Sequence, residues 1–135
     1  MQKLTLVLLA GALGMACVPS ITPGQKVEGT IDFADNAKQS NATDNTYYSD
    51  TYRLGGAKGD RFHVELWADD GARMNLEQVR EEGTYPEDIC SASGEGHDDG
   101  EAELKFDGDN FFNVYLIDQD MTEKGVGYSF LFTAR

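Results

Sequence analysis

The feature that most constrains this chain is a two-residue rhythm of apolar side chains, broken at short intervals by Gly, Asp or Asn. In residues 61–67, Phe62, Val64 and Leu66 share one face, while Arg61, His63, Glu65 and Trp67 share the other. Extended backbone sends successive side chains to opposite sides, so this period marks a strand with one face in a core. The same rhythm occurs at 26–31 and 48–54, at Ala102, Leu104 and Phe106, at Phe112, Val114 and Leu116, and at Tyr128, Phe130 and Phe132. No long helical stripe and no internal repeat accompanies it. About seven or eight short strands with turn signals between them predict an all-β fold, an antiparallel β-sandwich of jelly-roll-like type.

Other stretches are less sharply patterned. Residues 74–79 read as a strand or as little more than one helical turn, and propensity does not arbitrate over so short a run. Residues 81–100 turn to Gly, Ser, Asp and Glu around Pro86, which predicts a long loop with a short strand near 89–92. Residues 35–45 are polar and turn-rich, with nothing to pack. The run Asp107, Gly108, Asp109, Asn110 supplies the residues of a hairpin turn.

The amino terminus carries Lys3 and then an uninterrupted apolar and small-residue run over 4–16, which predicts a signal peptide over 1–16. That run is too short to cross a hydrocarbon core as a helix, which takes about 20 apolar residues, and no later segment comes nearer. Ala16 followed by Cys17 resembles the lipobox of bacterial lipoproteins, with Gly14 where the pattern has Leu and Leu13 one step further out. That resemblance implies lipidation of Cys17, with 17–24 as an amino-terminal tether and 25–135 as one domain. The alternative is ordinary cleavage after Gly14, Met15 and Ala16, and a secreted or periplasmic protein with a Cys17 to Cys90 disulfide; two cysteines fit either course. Either way the expected location is extracytoplasmic, and on the first course an outer-membrane or cell-surface lipoprotein held to the membrane only through that anchor.

Removal of 1–16 takes away one Lys and no acid, so the formal charge of -13 becomes -14. A polyanion of this kind repels nucleic acid and anionic headgroups, which disfavours phosphate-backbone binding. Cations and basic partners stay compatible with it. A diffuse excess of acid also serves solubility alone. The length suits a single domain, expected to be a monomer.

The order of the strand motifs resembles the bacterial pre-peptidase C-terminal domain, a β-sandwich commonly appended to secreted proteases. The matching residues are Val27, Glu28, Gly29, Thr30 and Ile31; Asp50, Thr51 and Tyr52 through Leu54; Gly59 and Asp60 before 61–66; Gly108 before 112–116; and Gly127, Tyr128, Ser129, Phe130 and Leu131. The departures are a longer acidic excursion between Asp69 and Gly100 and the lack of a catalytic domain ahead of the module. Some members hold Ca²⁺ near the Asp-x-Tyr strand, so the resemblance implies Asp50 as a ligand. Tyr47 stands where the family has a companion Asp, and Asp44 is the nearest substitute. Asp107 and Asp109 offer the first two oxygens of an EF-hand-like loop, but Phe111 stands where a third belongs. Ca²⁺ is therefore the one cofactor the sequence suggests, through Asp44, Asp50, Asp107 and Asp109.

Catalytic residues are not predicted. Only two His occur, His63 and His97, neither within a nucleophile, zinc or phosphate-loop motif. Tyr47, Trp67 and Tyr115 fall near strand ends or opposite the expected core, where rings serve as platforms for sugars or extended peptides, or pack under loops. Two functions follow as expectations. One is a non-enzymatic module that binds a polysaccharide, peptide or protein; the other is a structural envelope lipoprotein stabilised by Ca²⁺ in its acidic loops.

Overall fold

The computed structural model describes residues 18–32, 36–39, 46–81, 84–93, 96–117 and 124–135. Among these lie nine strands: β1 (Val27–Ile31), β2 (Asn36–Gln39), β3 (Thr46–Gly56), β4 (Arg61–Ala68), β5 (Met74–Gln78), β6 (Glu87–Ala92), β7 (His97–Glu103), β8 (Gly108–Ile117) and β9 (Val126–Ala134). A single 3₁₀ turn, Asp69–Gly71, follows β4. The strands form a four-stranded sheet in the order β1-β9-β4-β7 and a five-stranded sheet in the order β2-β3-β8-β5-β6, with antiparallel pairing throughout. Without the four-residue edge strand β2, the eight remaining strands pass between two four-stranded sheets in jelly-roll order, as the alternation predicts.

The period-two residues meet between the sheets. Phe62, Val64 and Leu66 of β4 and Tyr128, Phe130 and Phe132 of β9 face Tyr52 and Leu54 of β3, Met74 and Leu76 of β5, and Phe112, Val114 and Leu116 of β8. Four aromatic rings interlock at the centre: Phe130 packs edge-on against Tyr52 at 5.0 Å and Phe132 at 5.7 Å, and Phe132 against Phe112 at 4.9 Å. Each buried ring of this size removes enough apolar surface from water to contribute about 2–3 kcal/mol.

Three sequence expectations are corrected by this arrangement. Residues 36–39 of the polar segment form β2, pairing in register with Thr46, Tyr47, Tyr48 and Ser49, because an edge strand needs only backbone partners and no apolar face. Within the expected long loop, the short strand expected near 89–92 is present as β6 and begins at Glu87, but the first half of β7 is also strand, so His97 lies on a strand opposite Trp67. Cys90 and Ala92 alternate into the core, but the acidic outward residues mask that rhythm in the sequence. Asp107 to Asn110 is not a hairpin turn, since β7 and β8 belong to different sheets. Asn110 instead holds the crossover: its Oδ1 accepts from Lys105 N and Phe106 N, and its Nδ2 donates to Phe106 O and Gly108 O. Residues 74–79 resolve as strand β5.

The crossover between β3 and β4 lies beside this one. Gly59 N donates to Leu104 O and Leu104 N to Asp60 O, while Lys58 N donates to Asp107 Oδ1 at 2.9 Å. Gly59 has φ +95° and Gly108 φ +90°, values that only glycine adopts without strain, so both crossovers depend on these glycines. At the amino end, residues 19–21 lie along the stretch of β3 that β2 leaves free: Ile21 N donates to Arg53 O, Arg53 N to Pro19 O, and Ile21 is 4% exposed.

Candidate functional site

The outward side of β3 and β8 carries a polar and aromatic surface. Alternation that buries Tyr52, Leu54, Phe112, Val114 and Leu116 turns Tyr47, Ser49, Thr51 and Arg53 outward beside Asn113 and Tyr115. Tyr47 and Tyr115 meet edge to face with centroids 5.4 Å apart. The Tyr115 hydroxyl points to Asp88 Oδ1 at 3.5 Å, and half-burial, then the charges of Asp88 and Glu77, push its phenol above the ordinary tyrosine value. Two residues along β8 from Tyr115, Asn113 Oδ1 accepts from Thr51 Oγ1 at 2.7 Å, and Asn113 Nδ2 donates to Glu77 Oε2 at 3.0 Å. The chain of groups Thr51, Asn113 and Glu77 thus crosses β3, β8 and β5 next to the tyrosine pair.

Trp67, the third aromatic singled out in the sequence, lies on the other sheet. On the outer face of β4 its ring centroid is 5.2 Å from that of His97 and 4.2 Å from the Lys26 ammonium, so its π surface is already engaged. The structure therefore brings Tyr47 and Tyr115 together and leaves Trp67 on the opposite side of the sandwich. Tyr48, next to Tyr47 on β3, is half-buried and packs against the core.

The same outer face of β4 carries His63, flanked by two carboxylates: Nδ1 lies 2.9 Å from Glu101 and Nε2 3.4 Å from Asp99. Bonds from His63 and Arg135 hold the Glu101 carboxyl below its ordinary range. The two carboxylates sit at opposite ring nitrogens, which cross-links β4 and β7. Neither His has a Ser or Cys nucleophile as a hydrogen-bond partner among the described residues.

The acidic residues proposed from the sequence occupy separate places. Asp50 points inward, where its Oδ2 accepts from the Tyr128 hydroxyl at 2.5 Å. Since the Tyr128 proton goes to Asp50, Tyr52, 2.5 Å from the same oxygen, is the donor of the next bond. Burial, and the neighbouring Tyr52 and Asp50, push the Tyr128 phenol far above its ordinary value. Gly29 completes the cluster: a Cβ there would stand 2.5 Å from the Tyr128 oxygen. The opening-strand, Asp-x-Tyr and final-strand motifs of the sequence therefore converge on one hydrogen-bonded chain between the sheets. Asp107 accepts from Lys58 N, and Asp109 lies 3.9 Å from Arg53 at the crossover end. Asp109 pairs with Gly55, five residues along β3 from Asp50, or about 17 Å of extended chain. Asp44 lies outside the described residues, and among those described no group of three or more His, Cys, Asp or Glu is placed to hold a metal. Ca²⁺ takes six to eight oxygens, and these described carboxylates do not supply such a shell together.

Cys90 is a free thiol buried in the core; burial, then Asp98 and Asp99, push its pKa up to about 12. Cys17 and the expected signal peptide lie outside the described residues. Among the described residues no helix is long and apolar enough to cross a membrane.

One exposed residue escaped the sequence reading. Tyr85, in the connection between β5 and β6, is 90% exposed and is the only large hydrophobic side chain so exposed among the described residues. Its signal was present: an aromatic next to Pro86 in a segment with no period-two apolar partner.

No family model matches the chain, and no curated protein matches it by sequence. Among solved structures it is similar to the pre-peptidase C-terminal domain of a collagenase from Bacillus anthracis, with 11% identity and a TM-score of 0.48 over 86% of this chain and 94% of that one. It is also similar to PliG from Aeromonas hydrophila, a periplasmic lysozyme inhibitor of g-type lysozyme, with 18% identity and a TM-score of 0.48 over 87% and 97% of the two chains. A domain from Clostridium stercorarium in complex with cellobiose aligns with 10% identity and a TM-score of 0.36, over 87% of this chain and 98% of that one. The collagenase domain bears the name of the family whose strand motifs this sequence resembles.

Proposed function

We propose that this chain is a non-catalytic, extracytoplasmic binding module whose ligand, a polysaccharide, peptide or protein, lies across the outer face of the five-stranded sheet. The observation that carries this reading is the outward Tyr47 and Tyr115 pair beside the hydrogen-bonded Thr51, Asn113 and Glu77. Rings standing edge to face offer hydrophobic surface with a polar tip, and the Asn113 amide follows two residues along β8 from Tyr115, about 7 Å away. That combination fits a neutral, hydroxyl-rich chain best, because the surrounding carboxylates disfavour an anionic one.

In this reading the domain is anchored by a lipid on Cys17. Only Val18 separates Cys17 from Pro19, whose carbonyl accepts from Arg53 N at 2.9 Å. Pro19 to Ile21, within the stretch expected as a tether, run along β3, and Ile21 is buried. Anchored there, the sandwich would be held within about 10 Å of the acylated residue, since extended chain spans at most about 3.6 Å per residue.

Arrays of neutral glycans and of peptides, probed with the purified domain, test the binding reading. Tyr47→Ala and Tyr115→Ala are expected to lower affinity for the bound ligand by about tenfold or more, the scale of an interfacial aromatic, without changing the melting temperature by more than a few degrees. Binding that persists unchanged in both variants would remove this face from the function. The mass of the mature protein tests the anchor: an unmodified Cys17 would overturn it.

A further inference from the structure

We propose that a groove on the outer face of the four-stranded sheet binds a primary ammonium group carried by a small polar molecule. It lies on the other sheet from the Tyr47 and Tyr115 pair and goes beyond the function proposed for that face. The groove holds about 400 Å³ between β1, β9 and the turn after β4, and Glu28, Thr30, Ser129 and Asp69 line it around Gly127. That volume is at the small end of ligand sites, so it suits one small molecule.

The backbone builds its shape. Glu28 pairs with Ser129 and Thr30 with Gly127 across β1 and β9, so the outward side chains stand in adjacent rows. On the other side of β9, Trp67 pairs with Ser129 and Ala68 with Tyr128, which brings Asp69 level with Gly127. The Asp69 carboxylate lies over the bare backbone of Gly127, where a Cβ would collide with it. Its turn is fixed by Ala68 N donating to Gly96 O at 2.8 Å and Ala72 N to Asp69 O at 3.1 Å.

Unanswered polar groups select the ligand. Elsewhere on the sheets, His63 meets Asp99 and Glu101, Arg61 meets Glu103, Lys105 meets Glu87, and Ser91 N meets Asp98. Glu28 and Asp69 have no ion pair or side-chain hydrogen bond among the described residues, and the Thr30 and Ser129 hydroxyls have no partner among them either. The nearest base along β1, Lys26, is held over the Trp67 ring instead, with its ammonium 4.2 Å from the centroid. Two carboxylates disfavour an anion, and hydroxyls give an apolar group nothing to pack on. Ca²⁺ needs a shell of six to eight oxygens, and among the described residues no group of three or more His, Cys, Asp or Glu is placed to hold a metal. An ammonium brings three donors, which carboxylate and hydroxyl acceptors share.

Trp67 is the only tryptophan in the chain and stands beside Ser129, so its fluorescence reports on the groove. The purified protein is titrated with D-glucosamine, ethanolamine and Nα-acetyl-lysine amide, which carry the same group as amino sugar, lipid headgroup and protein side chain. A saturable change with at least one of them is expected, and none with N-acetylglucosamine; the tightest of the three names the source. Glu28→Gln and Asp69→Asn should each weaken that binding by about fivefold, the scale of an exposed ion pair. Lys26→Gln should tighten it by removing a neighbouring like charge. All three side chains are exposed, so the variants should melt like the parent. Tyr47→Ala should leave amine binding unchanged, and its loss there would move the ligand to the other sheet. No saturable response to any amine, an equal response to sodium chloride at matched ionic strength, a response to Ca²⁺ alone, or full amine binding in the Glu28→Gln, Asp69→Asn double variant would each overturn the proposal.

Discussion

At the scale of single residues, the buried polar groups do the most specific work. Asn110 is 0% exposed and makes all four hydrogen bonds its amide allows, each to backbone of the crossover between the sheets. Asn110→Ala leaves those backbone groups without partners in a dry site. The expected loss is about 2–4 kcal/mol, read as a fall in the urea midpoint with an unchanged slope. Tyr128→Phe tests the inter-sheet chain in the same way. It removes the donor to Asp50 and the acceptor for Tyr52, at an expected cost of about 1–3 kcal/mol. From the sequence, Asp50 resembled a Ca²⁺ ligand and Asn110 a turn former. A carboxylate or amide on a period-two strand looks the same in the sequence whether it faces an ion, water, backbone or a tyrosine hydroxyl.

At the scale of elements, the contact between β6 and β7 decides how the sandwich closes along one side. The chain bends through a register shift between Leu76 and Glu77, which leaves Ile89 out of the pairing with β5 and directs its carbonyl toward Gly100. A Cβ on Gly100 would collide with that carbonyl oxygen, and Ser91 N donates to Asp98 Oδ2 at 2.8 Å beside it. Gly100→Ala must therefore push the two edges apart, with an expected loss of about 1–3 kcal/mol. Faster amide exchange confined to β6 and β7 is the local signature to look for. This pair of strands was the part of the fold least legible in the sequence. Asp88, Asp98, Asp99 and Glu101 give it the composition of a loop, while the inward positions Cys90, Ala92, Gly100 and Ala102 are small and signal weakly. By contrast, β4, β8 and β9 were plain, because large side chains at every second position leave only one way to bury them.

At the scale of the whole molecule, the response to alkali follows from groups kept protonated by burial. The Cys90 thiol rises from its ordinary 9.0 to about 12, through burial and then Asp98 and Asp99, and the Tyr128 phenol is raised far above 10.0. In both cases the folded state holds its proton more tightly than the unfolded chain. The stability this represents is complete below the unfolded pKa and is lost as pH rises through and beyond it. The melting temperature should therefore fall from about pH 9 as unfolded thiol begins to ionise, and more steeply above about pH 10 as tyrosine joins it. In Cys90→Ala the first part of that fall should vanish, leaving onset about one pH unit later. Identical profiles for the two proteins would show that the thiol is not buried as described.

The sequence by itself determined the class of structure, because alternation with large apolar residues can be satisfied only by sheets that bury one face against another. It also marked the turn glycines and the acidic excess, and its resemblance to the pre-peptidase C-terminal domain drew attention to Gly29, Asp50, Tyr52 and Tyr128. Only the tertiary structure decided which sheet each strand joined, and with it that Tyr47 and Tyr115 share a face while Trp67 lies on the other side. The physical reason is the range of the interactions. Periodicity is local and reports which way a side chain points along its own strand, whereas the neighbours it meets are fixed by pairings such as β3 with β8, whose partners lie about sixty residues apart in the chain.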